Sequence, residues 1–176
     1  MRNMLVVREL QFENAEEITR LYIKNRAYLQ PFEPVRDDLY YTVGCHEEMI
    51  GATLDDPHNY LMGIFLAGRL IGRISLTAIA RAFFQNGRLG YWLDQEQQGR
   101  GYMGEAVGQT VRFAFDTLKL HRLEANVMPH NAGSLRVLEK NGFERIGLAR
   151  KYLQINGVWQ DHYLHQLLNP SYGSQR

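Results

Sequence analysis

A chain of 176 residues, 45% of them hydrophobic, fits one domain around one core. A formal net charge of +1 supplies no broad positive field, which argues against sequence-independent binding to nucleic acid or to an anionic membrane. No apolar run approaches the roughly 18 residues of a membrane span, and Cys45 as the lone cysteine excludes an internal disulfide, so a cytoplasmic protein is expected.

Residues 5–10 read as a first strand. Asn14 is a favourable N-cap with Glu17 three residues on, and Ile18, Leu21 and Tyr22 follow at helical spacing, which predicts a helix to about Leu29. Pro31 and Pro34 break any helix across residues 30–38, a loop that carries Phe32, Glu33 and Arg36. A short helix is expected near 45–54. Residues 60–66 and 70–78 are strand-like and joined through Ala67-Gly68-Arg69, the pattern of an antiparallel hairpin, and residues 88–94 form a further strand.

The next stretch, Gln98-Gly99-Arg100-Gly101-Tyr102-Met103-Gly104-Glu105-Ala106, lies between that strand and an apolar stripe at i, i+3, i+4, i+7 that runs from Met103 to Leu118. A helix that starts here presents four orphan N–H groups and the positive end of its dipole, and the glycines let an anion approach the backbone. Neither a Walker loop nor a dinucleotide fingerprint is present. After the helix, residues 122–128 read as a strand, 132–140 as a short helix closed by Asn141-Gly142, and residues from 143 onward as a strand that turns at Asn156-Gly157 into a closing hairpin. The sum is an α/β (α+β) chain: a mixed sheet with a central strand-helix-strand crossover and antiparallel hairpins on either side. A single domain over 1–170 and a frayed tail over 171–176 are expected.

Residues 127–134 end the strand after the crossover, so Asn131 and Ser134 face the same cleft as the glycine turn if the two strands are parallel neighbours. Asn131 suits both a helix cap and a ligand contact; Ser134, at the third helical position, is either a proton donor to a leaving group or a solvated first-turn serine. The six histidines show no zinc spacing and no metal is expected, while Cys45 reads as a packing residue rather than a nucleophile or acyl carrier.

The glycine turn, with Asn131 and Asn141-Gly142-Phe143, resembles the GCN5-related N-acetyltransferases (the GNAT family). Together with Gly90-Tyr91-Trp92-Leu93-Asp94 and residues 121–131, it resembles their RimJ/RimL branch, and residues 25–37 and 156–162 resemble its RimJ-type members. The resemblance implies the GNAT fold, with about seven strands, four helices and a splayed parallel pair around acetyl-CoA. It implies a diphosphate held by the backbone of Gln98, Gly99, Arg100, Gly101, Tyr102, Met103 and Gly104, and a main-chain N–H near Leu93 aimed at the acetyl carbonyl. Asn131 would meet the pantetheine region, and Ser134 the departing thiolate. The implied acceptor is a protein N-terminus, that of a ribosomal protein, and a homo-oligomer is compatible with it.

Two departures from the family pattern stand out. Met103 occupies a position where relatives have glycine or alanine, and is expected to pack under the turn. Leu138 replaces a tyrosine that protonates the sulfur in many relatives, which leaves that role to Ser134 or water. Asn126 stands where some relatives place a glutamate base, so Glu33, Glu105 and Glu124 compete, with Glu33 favoured because its proline-bounded loop resembles an acceptor-site wall. Phe32, Tyr91, Trp92 and Trp159 are candidates for the rest of that wall. A small amine acceptor, or a non-catalytic acyl-CoA-binding module, are the rival readings.

Overall fold

The computed structural model describes residues 4–173. Alternating apolar residues build a seven-stranded sheet from β1 (Leu5–Glu9), β2 (Tyr60–Leu66), β3 (Arg69–Ala80), β4 (Asn86–Leu93), β5 (Arg122–Val127), β6 (Glu144–Ile155) and β7 (Val158–Leu168), in the order β1-β2-β3-β4-β5-β7-β6. Hairpins make most of the pairings antiparallel. Both sharp turns use two residues at positive φ, Ala67 (50°) with Gly68 (81°) and Asn156 (52°) with Gly157 (79°), the geometry that matches strand twist. Among the described residues only β4 and β5 run parallel. The helix between them makes the crossover.

Four α-helices cover the sheet: α1 (Ala15–Leu29), α2 (Val43–Leu54), α3 (Tyr102–Arg112) and α4 (Ala132–Lys140). Adjacent strand residues divide between two buried clusters, Phe65, Leu70 and Trp92 with α1 and α2, and Ile64, Ile71 and Leu93 with α3 and α4. The helices therefore lie on opposite faces. Leu120, Leu123 and Leu138 are fully buried in the second cluster, each contributing about 2 kcal/mol of apolar transfer energy. The expected mixed sheet, helix count and crossover are all present.

Local differences have physical causes. Asn14 stands at the N-cap of α1, but its side chain turns back to accept from Gln11 N at 3.0 Å, and Glu17 accepts from Leu70 N at 3.0 Å, which docks α1 onto the start of β3 instead of closing a capping box. Helix α2 starts earlier than expected because Thr42 caps it, accepting from Cys45 N at 3.4 Å. The helix expected to continue to Leu118 widens into a π-turn over Phe113–Thr117, in which Leu118 N donates to Phe113 O at 3.0 Å and Phe113 meets Tyr60 edge-on at 5.3 Å. Pro170–Gly173 form a 3-10 turn whose Tyr172 packs on His121 at 4.9 Å, and 174–176 lie outside the described residues.

A candidate active site between two splayed strands

Strands β4 and β5 pair only at Asn86 with Arg122, Gly87 with Leu123 and Arg88 with Glu124, then diverge. Residues 89–93 consequently present an open edge. Gly90 O accepts from Ser75 Oγ at 3.4 Å and Asp94 N donates to Ile71 O at 2.8 Å, both partners lying on β3. Successive strand amides point to opposite edges, so those of Tyr91 and Leu93 point into the gap.

A cavity of about 220 Å³ fills this gap. Its walls include Phe32 and Glu33 from the proline-bounded loop, Arg73 from β3, Tyr91 and Trp92 from β4, Asn126 and Met128 at the end of β5, and Asn131 and Ser134 from the start of α4. His162 of β7 closes the far side. Tyr91 Oη donates to Ser134 O at 3.2 Å and ties β4 across the gap to α4. Burial raises the Tyr91 pKa, so the phenol stays neutral. Asn131 Oδ1 caps α4 by accepting from Ser134 N at 3.2 Å, while the Ser134 hydroxyl makes no hydrogen bond among the described residues.

The glycine turn is not among the segments that line this cavity. Gly99 (φ 73°) and Gly101 (φ 84°) are in the left-handed region, and a Cβ on either would meet no atom within 4 Å, so the turn exposes bare backbone. Gly101 O accepts the first bond of α3, from Glu105 N at 3.1 Å, which leaves the N–H groups of Tyr102, Met103 and Gly104 ahead of the helical ladder. Met103 packs inward at 9% exposure, under the turn as expected. Arg100 and Gln98 are exposed, and Gln98 Nε2 donates to Tyr28 Oη.

One face of α1 fixes this segment. Trp92 Nε1 donates to Tyr22 Oη at 2.9 Å, Gln95 N to Asn25 Oδ1 at 2.9 Å, and Lys24 Nζ sits 2.8 Å from Asp94 and 2.7 Å from Glu96. Tyr22, Asn25 and Tyr28 lie three residues apart, so they share that face. From the other side Asn141 Nδ2 donates to Gly104 O at 3.2 Å and to Val137 O at 2.9 Å, clamping the end of α4 to the first turn of α3.

The three carboxylates weighed as bases part company here. Glu33 lines the cavity with no hydrogen bond or ion pair among the described residues; burial raises its pKa, and Arg73 and Arg36 pull it part of the way back. Glu124 is held by Arg122 at 3.0 Å and Arg88 at 4.0 Å at the closed end of the strand pair, and Glu105 is exposed on α3. Asn126 donates to Tyr152 Oη at 2.9 Å, and Leu138, fully buried in the core, has no access to the cavity. Phe32, Tyr91 and Trp92 are wall residues, whereas Trp159 is 57% exposed on the β6–β7 hairpin. Cys45 lies on α2, outside the cavity, and among the described residues no group of three potential metal ligands occurs.

Four contributions were not anticipated from sequence: Arg73, His162, the Tyr91 bridge and the Asn141 clamp. Arg73 had a signal, since a single arginine interrupts the otherwise uncharged run Leu70-Ile71-Gly72-Arg73-Ile74-Ser75-Leu76. The others depend on which strands and helices meet.

Residues 4–144 match the family model described as an acetyltransferase (GNAT) domain. The chain is 46% identical over 171 residues to the probable N-acetyltransferase YjcK of Bacillus subtilis (strain 168), covering 94% of each chain. It is 36% identical over 173 residues to the [ribosomal protein uS5]-alanine N-acetyltransferase of Escherichia coli (strain K12), covering 96% of this chain and 89% of that one. Among solved structures, the ribosomal-protein-S5-alanine acetyltransferase from Vibrio fischeri superposes with a TM-score of 0.92 at 32% identity, over 96% of this chain and 94% of that one.

Proposed function

Starting from a chain that belongs to the GNAT acetyltransferase family and is an N-acetyltransferase, we propose that it acetylates the N-terminal α-amine of a protein, a ribosomal protein in particular, with acetyl-CoA as donor. The observation that carries this reading is the open edge of β4 sharing one small cavity with Glu33, a half-buried carboxylate that no cation among the described residues neutralises at contact distance. A 36% identical relative whose name gives ribosomal protein uS5 alanine as its acceptor supports the choice of substrate.

The chain fits acetyl-CoA where the fit is most demanding. The bare, positive-φ backbone at Gly99 and Gly101 leads into unpaired N–H groups at the positive end of α3, which suits a diphosphate, with Asn131 beside the pantetheine path. Bound there, acetyl-CoA supplies an acetyl group activated as a thioester. The Leu93 N–H donates toward the gap, where negative charge builds on the carbonyl oxygen; one such fixed donor typically contributes about 3 kcal/mol. Glu33 draws in the acceptor's ammonium and takes its proton. An α-amine, with a pKa of about 8, needs less help than a lysine at about 10.4. Ser134, at the first turn of α4 with its hydroxyl uncommitted, donates to the departing sulfur.

The test is turnover, followed as free-thiol release, on a peptide that starts with alanine or serine against a panel of polyamines, amino acids and aminoglycosides. The reading requires the peptide to give the highest kcat/KM. Preference for a small amine rejects the acceptor, and coenzyme A binding without thiol release against any amine rejects the activity.

A further inference from the structure

Arg73 is the one charge in the cavity wall that the chemistry above does not use. It lies on β3 opposite Trp92, with Tyr22 and Glu33 as electrostatic neighbours, Tyr40 accepting a side-chain hydrogen bond from it, and its Cζ 5.6 Å from the Tyr22 ring centroid. Its Nε is buried and has no hydrogen-bond partner among the described residues. A buried guanidinium N–H without a partner is costly and rare in a folded protein unless a ligand completes it.

Glu33 faces the same cavity and also lacks a contact partner among the described residues. It senses Arg73 electrostatically, yet no ion pair or hydrogen bond joins the two among the described residues. A cation and an anion held apart across a space of about 220 Å³ match a small group that carries the complementary pair: an ammonium, and a carbonyl oxygen on the next carbon but one. That group is the first residue of a peptide, with its N-terminal ammonium and first carbonyl.

We propose that Arg73 is a specificity-determining residue that binds the first carbonyl oxygen of the acceptor while Glu33 receives its ammonium, so that the site selects α-aminoacyl termini over simple amines. This rests on the reading of the chain as an N-terminal acetyltransferase. A second consequence concerns charge. A polyamine that placed its first ammonium at Glu33 would bring further cations against the guanidinium, so it is a poor acceptor.

The experiment compares three acceptors under saturating acetyl-CoA: an alanine-starting peptide, isopropylamine, in which a methyl group replaces the carbonyl of that alanine, and spermidine. In the wild-type protein the peptide is preferred over isopropylamine by about 100-fold or more in kcat/KM, and spermidine is the poorest of the three. In Arg73→Met the ratio of peptide to isopropylamine kcat/KM falls by about 10- to 100-fold, mainly through KM for the peptide, and Arg73→Lys restores part of it. The ratio is insensitive to the fraction of folded enzyme, and the wild-type ranking needs no variant at all. An unchanged ratio in Arg73→Met, or a wild-type enzyme that prefers isopropylamine or spermidine, overturns the assignment. If the peptide is acetylated but the ratio does not move, only the role of Arg73 fails; if no amine is acetylated, the proposed activity fails and this inference with it.

Discussion

Gly101→Ala separates a backbone cost from a ligand cost. Gly101 has φ 84° and caps α3, and a Cβ there would meet nothing within 4 Å, so the substitution introduces no clash. What remains is the left-handed penalty of an L-residue, about 1–2 kcal/mol, which for a chain of this length lowers Tm by about 2–8 °C. If the turn holds a diphosphate, relaxation of that strain swings its amides away, and the loss of one charge-assisted hydrogen bond weakens coenzyme A by about 10- to 100-fold. Gly68→Ala is the matched control: φ 81°, open space around the Cβ, but in the β2–β3 hairpin. Differential scanning fluorimetry and isothermal titration calorimetry on both variants should give similar drops in Tm and a loss of coenzyme A affinity only for Gly101→Ala. Equal affinity in the two variants would refute the assignment of the turn.

Further outcomes follow from single side chains. Glu33 has a pKa raised by burial, so its contribution to stability is present below the unfolded carboxylate range and is lost as pH rises through the raised value. Glu33→Gln should therefore raise Tm at neutral pH, with the gain gone below about pH 4, while acetylation slows at least about tenfold; a lower Tm at neutral pH would contradict the burial argument. Ser134→Ala should reduce kcat with little change in coenzyme A affinity, and unchanged kinetics would remove Ser134 from the proton path. Asn141→Ala loses the bonds to Gly104 O and Val137 O, so thermal unfolding should show a loss of about 1–2 kcal/mol together with weaker coenzyme A binding. Normal binding in a destabilised Asn141→Ala protein would mean that the clamp supports only the fold.

The glycine turn and the parallel crossover were legible in the sequence because both are local: a strand, a glycine-rich turn and a helical stripe follow one another without interruption. Met103 was legible too, since its place in the apolar stripe directs it inward. Glu33 stood out by its loop, but only the three-dimensional arrangement separates it from Glu124, whose ion pairs with Arg122 and Arg88 depend on strand pairing. Glu17 misled for a related reason: a local capping box competes with the N–H at the start of β3, and the tertiary bond prevails. The row of contacts from Tyr22, Lys24, Asn25 and Tyr28 to residues 92–98 spans 70 positions, beyond any local pattern. The π-turn after Arg112 likewise arises where aromatic packing outweighs an otherwise regular periodicity.

A crystal structure of the chain with acetyl-CoA tests the central claim most directly. The account predicts the diphosphate within hydrogen-bond distance of the amides of residues 99–104, with the thioester carbonyl in the gap between β4 and β5 facing the Leu93 N–H. A diphosphate bound elsewhere, with that gap left to solvent, would contradict it.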